Sequence, residues 1–155
     1  MSDLSLGRDV AIEFPQGKDK LTVFRILLSP SLGPFRGGQY VFHFEVGPNY
    51  PHEAPKVKCL TKVYHPNVDL LGNICLNVLR EDWRPVLGIS HIIMGLQLIM
   101  NEPETREPLN HEAAEAMRQD PRAYEKLLQR LVQYGGSVGG NSFQPFRGVT
   151  LEGHV

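Results

Sequence analysis

Apolar and polar positions alternate along the first third of the chain, and this period-two pattern predicts β-strands. The clearest case is the segment QYVFHFEV, residues 39–46, in which four apolar side chains fall on one face: Tyr40, Phe42, Phe44 and Val46. Three further segments are strand candidates: Val10–Phe14, Leu21–Leu28 and Lys56–Thr61. The segments follow one another at hairpin spacing, which favours an antiparallel meander.

The pattern changes to a helical period after Leu87. Ser90 is a candidate N-cap for a helix that reaches about Met100. The predicted apolar face of this helix consists of five residues: Ile92, Ile93, Leu96, Ile99 and Met100.

Two further helices are predicted after Pro108. Asn110 is placed to cap the first of them, which runs through Arg118. Asp120-Pro121 opens the second, with Asp as N-cap and Pro at the first helical position. The apolar stripe of this last helix is Tyr124, Leu127, Leu128 and Leu131, and Gly135-Gly136 ends it.

Strands followed by helices indicate an α+β fold class, and no linker or repeat divides residues 1–155, so we predict a single domain. Val63–Leu87 lacks clear periodicity, and an irregular segment of that length in a compact domain is typical of a functional loop. The glycine-rich tail, residues 135–155, is expected to be flexible, with Phe143 and Phe146 pinning part of it to the body.

Composition narrows the classes of function. The 155 residues are enough for one domain with a core, and 41% of them are apolar. The net charge of −1, without an extended cluster of Lys and Arg, argues against nucleic acid as the principal partner. No apolar run approaches the roughly 20 residues that cross a membrane, and the first residues lack the pattern of a signal peptide. We therefore expect a partner that is a protein or a small molecule.

Only two cysteines are present, Cys59 and Cys75. Neither lies in a C-x-x-C spacing, and no H-x-x-x-H spacing occurs, so a zinc site is not expected. Because no secretory signal is visible, we expect a reducing compartment and two free thiols.

The strongest chemical signal is a thiol at a short, fixed distance from a carboxamide. Tyr64-His65-Pro66-Asn67 is followed, eight residues after Asn67, by Cys75, in a segment too rich in Pro, Asn and Gly to form a helix. Attack at an acyl carbon creates an oxyanion, and Asn is a neutral hydrogen-bond donor that can stabilise it. The pair predicts acyl transfer through a thioester without a base next to the thiol, although a turn-forming role for Asn67 stays open.

His65 raises the alternative of a Cys–His dyad, as in a thiol protease. Such an enzyme also needs an orienting partner for the histidine and a substrate cleft, and neither is legible in the sequence. We therefore expect His65 to form hydrogen bonds that shape the loop.

Six motifs occur in a fixed order along the chain: Pro48-Asn49-Tyr50-Pro51, Pro55-Lys56-Val57, Tyr64-His65-Pro66-Asn67, Gly72-Asn73-Ile74-Cys75-Leu76, Trp83-Arg84-Pro85 and Pro108-Leu109-Asn110. Together they resemble the ubiquitin-conjugating enzymes, and the likeness covers Leu21–Tyr134, most of the chain. The resemblance implies a UBC-like fold, a four-stranded antiparallel meander sheet with packed helices.

The resemblance also implies an activity and its partners. An activating enzyme would transfer the C-terminal glycine of a ubiquitin-like modifier to Cys75, and a substrate lysine would then attack the thioester, with a RING-type ligase holding both partners. No cofactor, metal or bound ATP is implied for the chain itself. It is expected to be a monomer in the cytoplasm and nucleus.

Residue roles carry over at matching positions. Cys75 is the expected nucleophile and Asn67 the oxyanion donor or loop organiser. Glu107 stands where the family has Asp or Ser, so it is expected to orient the incoming lysine, with a solvated loop acid as the alternative. His65, Pro66 and Trp83 are expected to have structural roles near the site.

The ligase-facing end is expected to comprise Cys59, Pro85 and Val86. Many relatives carry Phe at the position of Cys59, and a buried strand cysteine is an equal alternative there. The family also begins with a helix of several turns, which docks the activating enzyme. Too few residues precede Val10 to form it, so we expect this helix to be absent or truncated.

Two stretches favour a narrower assignment. The run Cys75–Leu87 and the segment Gly135–Phe143 are most similar to the conjugating enzymes of neddylation, which carry a modifier to cullins. A ubiquitin-specific conjugating enzyme is the first alternative. A non-catalytic binding module of the same fold is the second, and the presence of Cys75 argues against it.

Overall fold

The computed structural model describes residues 9–17, 22–76, 79 and 82–151. Its larger sheet has four antiparallel strands in the order β1-β2-β3-β4. The strands are β1 (Val10–Glu13), β2 (Val23–Leu28), β3 (Tyr40–Glu45) and β4 (Lys56–Cys59). Each lies inside one of the four predicted segments, so the meander predicted from period-two alternation is confirmed.

One face of the sheet contributes buried aromatic and aliphatic side chains to the core. Phe24 pairs with Phe44 and Ile26 with Phe42 between β2 and β3, and all four side chains are buried. The rings of Phe24 and Phe44 stack with their centroids 4.6 Å apart. Val46 is only partly buried, because the strand has ended before it.

Three helices follow the sheet: α1 (Gly88–Asn101), α2 (His111–Gln119) and α3 (Pro121–Tyr134). Both predicted caps of the later helices are confirmed. The Asn110 side chain accepts a hydrogen bond from the amide of Ala113 at 3.0 Å, and Asp120 accepts one from Ala123 at 3.1 Å. These bonds satisfy amides that have no partner inside the helix.

The predicted start of α1 at Ser90 is wrong. The helix begins at Gly88, so its N-cap position is Leu87, three residues before Ser90, and no side chain caps it. The chain enters from a turn in which the amide of Leu87 donates to the Arg84 carbonyl, and Gly88 adopts a φ of 75°. Glycine accepts this left-handed conformation without a steric penalty, so the turn runs directly into the helix.

The helices close the core over the sheet. All five residues of the predicted α1 face are buried. Tyr124, Leu128 and Leu131 of the α3 stripe are buried as well, while Leu127 is only partly buried. The Tyr124 hydroxyl donates to the Tyr64 carbonyl at 2.7 Å and so joins α3 to the irregular segment that carries the predicted site.

Part of the glycine-rich tail forms regular structure, and the expected flexibility of residues 135–155 stays a prediction. Gly136–Val138 and Asn141–Phe143 pair as a two-stranded hairpin, β5 and β6. Phe143 and Phe146 are buried, as predicted, and the Phe146 carbonyl accepts from the amide of Gln39 at 2.8 Å. Burial of the two aromatic rings stabilises this packing of the tail against the body.

The question of a first helix falls on residues 1–8, which lie outside the described residues. No helix in the described part of the chain is both long and apolar enough to cross a bilayer.

Candidate active site

The segment after β4 is held against the sheet by its backbone. Gly72 accepts a hydrogen bond from the amide of Cys59 at 2.9 Å. A Cβ atom at Gly72 would lie 2.3 Å from the Cys59 carbonyl oxygen, and its φ is 89°. Only glycine permits both the close approach and the left-handed backbone. This contact fixes the start of the motif that contains Cys75.

A carboxylate-centred turn then returns the chain towards Asn67. The Asp69 carboxylate accepts hydrogen bonds from the amides of Leu71 and Asn73 at 3.0 and 2.9 Å. Past this turn, the amide of Cys75 donates to the Asn67 carbonyl oxygen at 2.8 Å. The eight-residue spacing seen in the sequence therefore corresponds to a closed loop with Asn67 and Cys75 at its base.

The Asn67 carboxamide pairs with the backbone of Glu104. Its Nδ2 donates to the Glu104 carbonyl at 2.8 Å, and its Oδ1 accepts from the Glu104 amide at 2.9 Å. Asn67 is buried and therefore organises the loop after α1 in this conformation. An amide nitrogen carries two protons, so one remains for a further acceptor.

Pro66 contributes to the same junction through its carbonyl. That oxygen accepts hydrogen bonds from the amides of Leu109 and Asn110 at 2.9 and 3.1 Å. Pro66 and Asn67 together therefore hold both ends of the 104–110 segment. The predicted structural role of Pro66 has this physical basis.

His65 lies in the core with both ring nitrogens engaged. Nδ1 accepts from the amide of Asn67 at 2.9 Å, so Nε2 carries the proton and donates to the Ile99 carbonyl at 2.8 Å. Phe35 stacks on the ring with centroids 4.8 Å apart. Burial lowers the pKa of His65 to about 4. A neutral, fully bonded imidazole is unsuited to act as a base, which agrees with the expected loop-shaping role.

The stability of the protein should fall in mild acid because of His65. A pKa of about 4 lies below the ordinary value of 6.5, so the unfolded chain binds more protons between these values. The stabilisation from neutral His65 is complete above pH 6.5 and is lost as the pH falls towards 4, by about 3 kcal/mol at the limit. Urea unfolding at pH 7.5, 6 and 5 would measure this loss.

The matched comparison uses His65→Gln and His111→Gln. His111 is exposed at the start of α2, so its replacement should leave the pH dependence of the parent protein intact. His65→Gln should lower stability at pH 7.5 and flatten the acid limb. An equally steep acid limb in His65→Gln would mean that other groups cause the loss.

Cys75 is half-exposed and free of any disulfide. Its Sγ lies 3.7 Å from the carbonyl oxygen of Glu107, the one hydrogen-bond partner that the thiol has among the described residues. Neither a histidine nor a carboxylate bonds the sulfur in that part of the chain. A thiol that carries an acyl group to another nucleophile fits this arrangement better than a protease dyad does.

Glu107 reaches the site through its backbone. It is the one non-glycine residue with a positive φ, 47°, among the described residues, and this conformation turns its carbonyl towards Cys75. A left-handed backbone is unfavourable for a residue with a Cβ and persists where surrounding contacts impose it. The carboxylate is exposed and lines the same cleft as Cys75, so a role in orienting lysine stays a prediction.

A cleft with a volume of about 790 Å³ opens beside Cys75. Cys75, Leu76 and Asn67 line it. The side formed by α1 carries His91, Gly95, Leu98 and Ile99, and the side formed by the following loop carries Glu102, Glu104, Arg106 and Glu107. One wall is thus largely apolar and the other is charged.

The thiol of Cys59 is buried, which agrees with the alternative of a buried strand cysteine and not with an exposed position at the ligase-facing end. Its side chain is 5% exposed, and Sγ donates to the Thr61 carbonyl at 3.2 Å. Cys59 pairs with Phe42 across β3 and β4, and that register directs both side chains inward. Burial raises the pKa of the Cys59 thiol to about 12. Pro85 and Val86 are exposed, Val86 at 85%, and their docking role stays a prediction.

Trp83 packs against the turn before β4. Its Nε1 donates to the Pro51 carbonyl at 2.9 Å, and its ring lies 6.0 Å from that of Tyr50. The expected structural role therefore has a physical basis, but the packing partner is the turn containing Pro51.

Sequence reasoning missed Glu104 and the cleft wall on α1. The pairing of Asn67 with Glu104 joins residues 37 positions apart, and the bonding groups of Glu104 are backbone atoms that any residue type supplies. Leu98 is 59% exposed and so lies off the buried stripe that identified α1. Leu98, an apolar residue outside the predicted core face of α1, was the signal in the sequence that could have indicated the cleft wall.

Several known proteins are similar to this chain in sequence. The profile of the family "Ubiquitin-conjugating enzyme" matches residues 5–132. The "NEDD8-conjugating enzyme Ubc12" of Arabidopsis thaliana is 50% identical over 143 residues, which are 92% of this chain and 77% of that protein. The "Nedd8-conjugating enzyme UbcE2M" of Drosophila melanogaster is 48% identical over 144 residues, 93% of this chain and 78% of that protein.

A solved structure agrees with the sequence relatives. That of "S. cerevisiae Ubc12" matches with a TM-score of 0.85 at 33% identity, covering 94% of this chain and 80% of that one. The four-stranded meander with helices packed on one face is therefore an architecture that this relative shares.

Proposed function

This chain belongs to the ubiquitin-conjugating enzyme family, and on that premise we propose that Cys75 carries a ubiquitin-like modifier of the NEDD8 type and passes it to a lysine. The chain is a transferase of the ubiquitin-conjugating class that works with a modifier, an activating enzyme and ligases. Relatives named as NEDD8-conjugating enzymes, at 41–50% identity over most of the chain, support neddylation as its pathway. The observation that carries the residue assignment is the half-exposed Cys75 thiol, which lines a cleft and has no base bonded to it among the described residues.

The reaction needs two acyl transfers at Cys75. In the first, the Cys75 sulfur attacks the carbonyl carbon of the modifier's C-terminal glycine, and the thiol of the activating enzyme leaves. In the second, a deprotonated lysine amine attacks the same carbon, and the Cys75 thiolate leaves. Both attacks place negative charge on one oxygen, and we propose that the second Nδ2 proton of Asn67, which is not used in the bond to Glu104, stabilises it.

The cleft suits the C-terminal segment of the modifier. An acyl group joined to Cys75 must have its preceding residues beside the thiol, and the 790 Å³ cleft is the space that Cys75 lines. Leu76, Leu98 and Ile99 supply apolar surface there. We infer that this wall holds the modifier's final residues in an extended conformation.

Replacing Leu98 by Glu should slow formation and transfer of the thioester. A carboxylate at this exposed position would place an unpaired charge against the modifier and weaken its docking by about 1–3 kcal/mol, or about 5- to 150-fold in rate. Met94→Glu is the matched control, because Met94 is 63% exposed on the same helix and does not line the cleft. Equal losses in the two variants would contradict the assignment of the cleft.

We also propose which class of ligase and which acceptor the enzyme works with. The surface around Pro85 and Val86 is exposed immediately before α1 and is suited to dock a RING-type ligase. The acceptor is proposed to be a cullin lysine, and the enzyme is proposed to act as a monomer. Val86→Arg should form the thioester as fast as the parent chain does, but a RING-type ligase should no longer stimulate its transfer of the modifier. That result would support docking of the ligase at this surface.

Parallel charging assays test the proposal. The purified chain is incubated with ATP, with either NEDD8 or ubiquitin, and with the activating enzyme that matches each modifier. The expected result is a reductant-sensitive adduct with NEDD8 and much less with ubiquitin. Charging with ubiquitin alone would make the chain a ubiquitin-specific enzyme, and charging with neither modifier would favour a binding module.

A further inference from the structure

Three cations occupy the exposed side of α3: Arg122, Lys126 and Arg130, called here the basic stripe. They are spaced four residues apart, so neighbouring side chains lie about 6 Å from one another on one face of the helix. The buried residues of the helix point the other way, because the chain turns by about 100° per residue. The basic stripe is therefore fully available to a partner.

The basic stripe forms no ion pair with another described residue. The arginine ion pairs in that part of the structure involve Arg36 with Glu125, Arg106 with Glu104 and Arg118 with Glu115. The neighbouring helix α2 shows the opposite pattern. There, the Glu115 carboxylate accepts a hydrogen bond from Arg118 at 2.8 Å, in an ion pair, and another from the neutral amide of Gln119 at 3.0 Å.

Helix stability alone does not favour this arrangement. Like charges four residues apart destabilise a helix, and the stripe contains two such pairs. Arg122 also lies in the first turn of α3, where the positive end of the helix dipole disfavours a cation. The contrast with the Glu115–Arg118 ion pair of α2 points to a function in binding.

We propose that the basic stripe is a docking surface for an acidic protein segment whose carboxylates are spaced about 6 Å apart. Carboxylates are the groups that complement unpaired guanidinium and ammonium ions. Three cations can neutralise only about three phosphates, which supplies little electrostatic affinity for a nucleic acid, and the chain has a net charge of −1. None of the three residues lines the cleft at Cys75, so the basic stripe is separate from that cleft.

The test uses the full chain and a labelled helical peptide with Glu at every fourth position. A peptide with Gln in place of Glu and a single-stranded oligonucleotide serve as comparison probes. The stripe variant combines Arg122→Gln, Lys126→Gln and Arg130→Gln. A control variant with the same change in net charge combines Lys56→Gln, Lys58→Gln and Lys62→Gln, three cations located outside the helices.

We expect the acidic peptide to bind the parent chain and the control variant equally. The stripe variant should bind it about tenfold more weakly, as expected for the loss of several exposed ion pairs, and added salt should remove the difference. Thioester formation and thermal stability should stay unchanged or rise slightly in the stripe variant. Equal loss in the two variants, or tighter binding of the oligonucleotide than of the acidic peptide, would overturn the proposal.

Discussion

Cys75→Ser should abolish the reductant-sensitive adduct between this chain and its modifier. A serine hydroxyl is far less acidic and less nucleophilic than a thiol, so the rate of charging should fall about a thousandfold or more. Any adduct that does form on serine is an oxyester, and it should survive a reductant that cleaves the thioester of the parent enzyme. Gel electrophoresis with and without reductant measures both properties.

The chain contains an internal control for this experiment. Cys59 is the other thiol, and its burial and raised pKa, about 12, make it a poor nucleophile at neutral pH. Cys59→Ala should therefore retain charging. If Cys75→Ser still formed a reductant-sensitive adduct, and that adduct disappeared when Cys59→Ala was added, the nucleophile would be Cys59. This result would contradict the assignment of Cys75.

Asn67→Ala should impair both the fold of the loop and the transfer to lysine. The substitution removes the paired hydrogen bonds with the Glu104 backbone, at 2.8 and 2.9 Å, and should lower the free energy of unfolding by about 2 kcal/mol. Loss of an oxyanion donor should also slow lysine attack on the thioester by about a hundredfold. Urea unfolding and single-turnover discharge to free lysine measure the two effects separately.

Two further variants distinguish a loop role from a donor role. Asn67→Asp keeps an acceptor for the Glu104 amide but removes the donor, so it should slow discharge as strongly as Asn67→Ala if the donor acts in catalysis. Asn73→Ala removes an exposed amide bonded to Asp69 in the same segment and should leave discharge unchanged. Discharge rates that follow only the loss of stability across all three variants would assign Asn67 to loop organisation alone.

The elements that could be predicted from the sequence are those set by short-range periodicity. The alternation through Tyr40, Phe42 and Phe44 identified β3, and the caps Asn110 and Asp120 identified the starts of α2 and α3. Ser90 failed as a cap because the preceding turn and Gly88 determine where α1 begins. A capping residue indicates that a helix can start at a position, whereas the incoming chain determines whether it does so.

The tail and Cys59 show that local sequence does not determine how a residue packs in the tertiary structure. Glycines in residues 135–140 favour flexibility locally. The side chains of Phe143 and Phe146 are nevertheless buried in the core, beside the hairpin of β5 and β6. The identity of Cys59 permits either an exposed or a buried thiol. Only the register of β4 with β3, which aligns it with Phe42, directs it inward.

By itself, the sequence determined the order of strands and helices, the spacing of Asn67 and Cys75, and the motifs that place the chain in its family. These features depend on residue types at short separations, where side-chain pattern and turn chemistry are sufficient. The tertiary structure alone decided that the Asn67 carboxamide binds the Glu104 backbone, that the Glu107 carbonyl faces the thiol, and that α1 walls the cleft. Such contacts join distant segments largely through backbone atoms, which every residue type carries, so no pattern in the sequence announces them.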